Sequence, residues 1–164
     1  MKKILLNPVG MLVSGLLLGV ISRLLDIYTT NLGNVFSQLA IWILLGVLIS
    51  IYSPTQKKAM FHIFLFCIGM LVAYYGTAVL TNGVYSRTMI VGWTLFAVCS
   101  PLFAYFTWLT KRKGLFPKMI STCIVVVSLF SSVLLFDGLR IYDVIINVLL
   151  IYFLFFKRIK RSVL

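Results

Sequence analysis

AMFHIFLFCIGMLVAYYGTAVL, residues 59–80, holds no charged side chain, and two lysines, Lys57 and Lys58, stand directly ahead of it. At ~1.5 Å of rise per residue, about 20 apolar residues in a helix cross the ~30 Å hydrocarbon core of a bilayer. This stretch is long enough to do so. A helix also satisfies its own backbone polar groups, which lipid cannot do for it. Working outward, the same pattern recurs along the chain. Apolar segments occupy about 8–25, 35–52, 59–80, 90–110, 119–136 and 139–156, joined by short connections. The sequence predicts an all-α integral membrane bundle of six transmembrane helices, forming one domain over residues 1–164.

Composition points the same way. Of 164 residues, 62% are hydrophobic and 11% charged, where soluble domains run nearer half and a quarter. Short connections leave no room for a soluble catalytic domain. Lys2 and Lys3 ahead of an apolar run look like the start of a signal peptide. No small-residue cleavage site follows, and Arg23 and Asp26 come next, so the first segment reads as an uncleaved helix.

A net charge of +12 invites a nucleic-acid reading, and its distribution argues against one. Lys2, Lys3, Lys57, Lys58, Lys111, Arg112, Lys113, Lys118, Lys157, Arg158, Lys160 and Arg161 fall on alternate loops or termini. Arg23, Arg87 and Arg140 lie near the other side, with all three acids, Asp26, Asp137 and Asp143. The positive-inside rule then places both termini in the cytoplasm. The lipid bilayer is the first partner expected, and no nucleic acid.

Small residues mark where helices approach. Gly15, Gly19, Ser22 and Asp26 share one face of the first helix, and Gly10 with Ser14 adds a second small-xxx-small pair. Such pairs serve either packing within the bundle or docking of a separate membrane subunit. Gly69, Ala73 and Gly76 suggest a similar face on the third helix. Pro101 should kink the fourth, with Ser100 placed to satisfy the freed backbone.

The polar residues gather toward the side away from the lysines. Arg23 and Asp26 are three apart, as are Arg140 and Asp143, with Asn147 one turn deeper. Gln38 shares a face with Asn34 and Trp42, and Tyr75 approaches the same layer beside Tyr74. Charges within spans are costly, so they face the interior or water and pair. Two readings stand. One is a ring of ion pairs locking helix ends, with Arg23/Asp26 close to Arg140/Asp143. The other is an outward-facing polar pocket that binds a small polar solute, with Arg23, Asp26, Asn34, Gln38, Tyr75, Arg140, Asp143 and Asn147 as its ligand-binding residues.

Enzyme signatures are missing. His62 and Cys67 sit well over 90° apart on one helix and cannot form a dyad together; His62 reads as an interfacial polar residue near Lys58. Cys67, Cys99 and Cys123 lie on three different helices, with no CxxC, so neither zinc nor a disulfide is indicated. The chain contains no glutamate, GxSxG, Walker motif or HExxH. The sequence nominates no catalytic residue, metal or cofactor, and predicts a protein that is not an enzyme.

GLLLGVISRLLD (15–26), LGNVFSQLAIWILLGVLI (32–49), VAYYGTAVL (72–80) and VGWTLFAVCSPLFAY (91–105) together resemble a bacterial family of small membrane proteins catalogued as a domain of unknown function. The likeness covers most of residues 10–112 and implies the cytoplasmic membrane but no activity. The architecture is also similar to substrate-binding subunits of energy-coupling-factor vitamin transporters. That resemblance implies a solute-binding or transport subunit, with Gly10/Ser14 and Gly15/Gly19 docking a partner subunit. The alternative expectation is an accessory or immunity-type protein that binds another membrane component.

Overall fold

Helix takes every apolar segment in the computed structural model of the protein, which describes residues 7–29, 35–36, 39–81, 86–136 and 139–159. Helix α1 is Pro8–Tyr28, α2 Leu39–Tyr52, α3 Gln56–Leu80, α4 Arg87–Leu109, α5 Leu115–Phe136 and α6 Ile141–Ile151, which runs into a π-helical turn, Tyr152–Phe156. Among the described residues there is no strand. Four helices, α1, α3, α4 and α5, are long and apolar enough to cross a membrane, while α2 and α6 with its π turn are shorter apolar helices.

Local chemistry sets the helix ends. The Asn7 side chain accepts the Val9 N–H at 2.9 Å, and Pro8 follows with its preset φ and no orphan N–H. Thr55 caps α3 by accepting the Lys58 N–H at 3.2 Å. Pro101 sits inside a continuous α4 and withholds the N–H that the Ala97 carbonyl would receive. Ser100 Oγ donates to that carbonyl instead, at 2.7 Å, as the sequence suggested. At the other end of the chain, Lys111 Nζ donates to the carbonyls of Phe153, Leu154 and Lys157. These carbonyls lie at a helix C-terminus, where a cation belongs.

Packing arranges the helices around α2. It touches α3, α4, α5 and α6, and none of its residues is exposed. A helix that is apolar all round is a buried one. Helix α1 lies on the flank, on α3. Met11 and Phe66 are buried at that flank in one apolar cluster with Trp42 and Met70. Gly15 and Gly19 lie on the Phe66–Met70 and Met70–Tyr74 backbone, and Gly69 lies on Leu12. Rising numbers on α1 meet rising numbers on α3, so the two run parallel and α2 must return the chain between them. Gly76 meets nothing within 4 Å. The expected Gly69–Ala73–Gly76 face therefore does not extend to Gly76.

Polarity is inverted relative to a soluble protein. Val13, Leu17, Leu95, Val98, Leu102, Val126, Phe130, Leu134, Val144 and Val148 are exposed, while Ser22, Ser50, Ser100, Ser128, Ser132, His62, Asp143 and Asn147 are buried. In water such apolar patches would associate; in lipid, polar groups belong inside. Buried serines use their own helices: Ser53 and Ser121 donate to the carbonyls of Ile49 and Pro117. The molecule is a helical protein suited to a bilayer.

Candidate functional site

Away from the lysine-rich turns, the charged residues form two separate clusters. Arg23 Nη1 pairs with Asp26 Oδ2 at 2.9 Å. Tyr74 OH donates to the same oxygen at 3.1 Å, and the guanidinium lies 5.6 Å from the Tyr74 ring centroid. Tyr75 meets Tyr74 edge to face at 5.2 Å, pointing elsewhere. This cluster ties the end of α1 to α3.

The second cluster joins α5 to α6. Asp143 is fully buried. Its Oδ1 accepts from Ser132 Oγ at 3.2 Å and its Oδ2 from the Arg140 backbone N–H at 3.0 Å. Asn147 Nδ2 donates to the Asp143 carbonyl at 2.8 Å. The Arg140 guanidinium is exposed and donates to Tyr142 OH at 2.6 Å.

The expected side-chain pair Arg140–Asp143 is thus not what forms. An acid at the third position of a helix reaches back to the N-cap N–H, and Asp143 does so. Nor does the structure close a ring between Arg23/Asp26 and Arg140/Asp143. Helix α1 lies on α3, while α6 lies on α2 and α5. Among the described residues Arg23–Asp26 is the sole ion pair. Asn34, Gln38 and Asp137 lie outside the described residues.

The packing motifs are also placed. The Gly15/Gly19 face is filled by the α3 backbone, so it is not free to dock another subunit. Gly10 and Ser14 are half-buried, and Ser14 Oγ donates to the Gly10 carbonyl at 2.7 Å.

His62 is fully buried within the bundle. Its Nδ1 lies 3.1 Å from Ser53 Oγ. That hydroxyl already donates to the Ile49 carbonyl at 2.7 Å, so Nδ1 carries the proton in the bond to Ser53. Nε2 has no partner among the described residues. Trp108 Nε1 donates to the Ser53 carbonyl at 3.0 Å, tying α4 to the same turn. Ser53 supplies what the sequence reading lacked, a buried partner for the histidine. Cys67 lies elsewhere and does not meet it.

Cys67 instead faces a slot of ≈330 Å³ bounded by α2, α3, α4 and α5. Trp42, Gly46 and Val47 of α2, Ile63, Phe66 and Met70 of α3, Trp93, Ala97, Ser100, Phe103, Ala104 and Thr107 of α4, and Cys123 and Val127 of α5 line it. None of Arg23, Asp26, Tyr75, Arg140, Asp143 or Asn147 does. On α4 the lining runs from Trp93 to Thr107, about 21 Å along the axis at ~1.5 Å per residue. The slot is long, narrow and apolar.

It opens sideways. Helices α4 and α5 follow each other in sequence yet barely touch, and Phe103 (49%) and Val127 (50%) on the two sides of the gap are half exposed. On the outer surface of a membrane protein, that gap faces lipid chains. The sequence signal for the slot is faint: small residues, Gly46, Ala97 and Ala104, opposite aromatic ones. Chemically the walls offer dispersion and exclusion of water, which suit binding of an apolar chain.

Comparison with known proteins adds a family and nothing finer. The chain belongs to a family of unknown function, DUF6518, whose model matches residues 1–149. No curated protein and no solved structure matches it.

Proposed function

We propose that this family member is a non-enzymatic, six-span protein of the bacterial cytoplasmic membrane, with both termini inside, that binds an apolar membrane-borne ligand in the slot between α2, α3, α4 and α5. The parallel run of α1 and α3 supports α2 as a crossing segment, and the lysine-rich turns support the orientation. The observation that carries the ligand reading is the lateral gap: an apolar cavity entered from lipid rather than from water. The small-solute reading also proposes a binding or transport subunit. Its outward polar pocket has less support, because Arg23 and Asp26 hydrogen-bond to each other, Asp26 to Tyr74, and Asp143 to Ser132 and the Arg140 backbone. A partner subunit would dock elsewhere than Gly15/Gly19, whose face is occupied.

Native mass spectrometry of protein extracted in mild detergent tests this. The wild type should retain an apolar species that Ala97→Phe and Ala104→Phe lose, since both positions are buried on the slot wall. Arg140→Ala and Asn147→Ala should keep it. Retention of a water-soluble solute that disappears in Arg140→Ala or Asn147→Ala would reverse the assignment.

A further inference from the structure

The slot does not end blindly at the α4/α5 gap. A shallow groove runs along α5 from the lysine-rich turn, past Lys118, Met119 and Thr122, to Cys123, which lines groove and slot alike. Thr122 and Cys123 are exposed along this track. Lys118 stands at its head, exposed, and its ammonium makes no hydrogen bond or ion pair among the described residues. Lys111 on the same turn differs, because three helix-end carbonyls engage it. Arg112 is likewise engaged, 5.4 Å over the Trp108 ring. Lys118 is the cation among the residues that line this groove.

Spacing agrees with a bilayer's own layering. Lys118 and Cys123 are five residues apart on α5, about 7.5 Å at ~1.5 Å per residue. The headgroup layer extends roughly 5–7 Å beyond the hydrocarbon on each side. With Lys118 at headgroup level, Cys123 falls at the hydrocarbon edge, where a chain would turn inward. We infer that the slot takes a membrane amphiphile with a net-negative phosphate head, its chain entering between α4 and α5 and its head resting on Lys118. This rests on the reading of the slot as an apolar-ligand site and specifies the ligand's polar end. A lone exposed lysine holds a free anion weakly, because salt screens it; a chain in the slot would supply the remaining affinity.

Trp42 and Trp93 both line the slot and report occupancy. The full chain with Trp108→Phe would be placed in phosphatidylcholine nanodiscs. Fluorescence would be read against lipid with brominated chains, bearing either a phosphatidylglycerol or a phosphatidylcholine head. Quenching should reach half its extent at about fivefold lower mole fraction for the anionic lipid, the gain one surface lysine gives. Lys118→Gln should bring the two curves together, and Lys113→Gln should not. Ala104→Phe should remove the saturable part of both. Equal curves in the wild type, or a preference that survives Lys118→Gln, would overturn the head assignment and leave the slot reading standing. Quenching in Ala104→Phe identical to the wild type would overturn the slot reading itself. Displacement of the brominated lipid by glycerol phosphate would mark a soluble-anion site and refute the amphiphile.

Discussion

Replacing Gly15 or Gly19 by alanine should push α1 away from α3 by about an ångström. A Cβ built on Gly15 stands 2.2 Å from the Phe66 carbonyl oxygen, and one on Gly19 stands 2.4 Å from that of Met70. Ordinary contact begins at 3.4 Å, so the shortfalls are 1.2 Å (3.4 less 2.2) and 1.0 Å (3.4 less 2.4). Both obstacles are backbone oxygens held in helical hydrogen bonds, and neither can rotate aside. The helices must part instead, and a 0.5–1 Å gap forfeits roughly a quarter to a half of each dispersion contact. Overpacking typically costs about 1–3 kcal/mol, while alanine's better helix propensity returns about 0.5–1. Each variant should therefore lose about 1–2 kcal/mol net, lowering the melting temperature by roughly 2–8 °C at ~2–4 °C per kcal/mol for a chain of this size. Gly76→Ala is the control, because nothing lies within 4 Å of its Cβ; it should be neutral or slightly stabilising. Thermal unfolding in one detergent, with all three variants side by side, decides the matter. If Gly15→Ala and Gly19→Ala melt like Gly76→Ala, the face is not packed on α3, and the docking role it lost here returns.

Orientation can be read by labelling: single cysteines at Ser86 and Gly138 in a cysteine-free background should react with an impermeant thiol reagent on intact cells, and one at Gln56 should not. The reverse pattern would turn the topology over. Ser100→Ala should cost about 1 kcal/mol in the wild type but little in Pro101→Ala, whose restored N–H serves the Ala97 carbonyl; additivity in that double-mutant cycle would show that the hydroxyl does something else. Lys111→Met should cost about 1–2 kcal/mol and speed amide exchange over residues 152–159, while Lys113→Met leaves both unchanged; unaltered exchange would mean that the π turn stands without its cation.

Much of the fold was legible because lipid demands long apolar runs. Each run became a helix, with ends displaced by local chemistry rather than by hydropathy. Helix α1 continues past Leu25 to Tyr28 and α4 begins at Arg87 ahead of Ile90; in α1 the buried Arg23 pairs with the exposed Asp26 beside Tyr74. The Pro101–Ser100 arrangement was also readable, because donor and acceptor are four residues apart at most. What escaped was long-range. The π turn at Tyr152–Phe156 depends on an ammonium from position 111, and His62 depends on a serine in the turn before its helix. Neither partner is visible from its own segment.

The site was harder to read for a physical reason. In a soluble protein a buried polar residue is an anomaly that points to function, but in lipid burial is where polar residues go by default. Asp143 and Arg23 were therefore conspicuous as residue types while their geometry proved to be that of a helix cap and a helix tie. The slot leaves the opposite trace. It arises where Gly46, Ala97 and Ala104 fall short of filling the space between aromatic neighbours, and where α4 and α5 diverge after a tight turn. Neither condition has a period in the sequence. Ser50, Ser100 and Thr107 are its hydroxyl-bearing lining residues, and Ser100 is turned onto its own backbone, so it does not mark the cavity as polar. The proposed ligand rests on the same physics: an empty apolar slot open to lipid would forgo dispersion contacts along its whole length. The cavity's character follows from its opening more than from any residue that lines it. That is why the gap between α4 and α5, and not the charge clusters, carries the functional assignment.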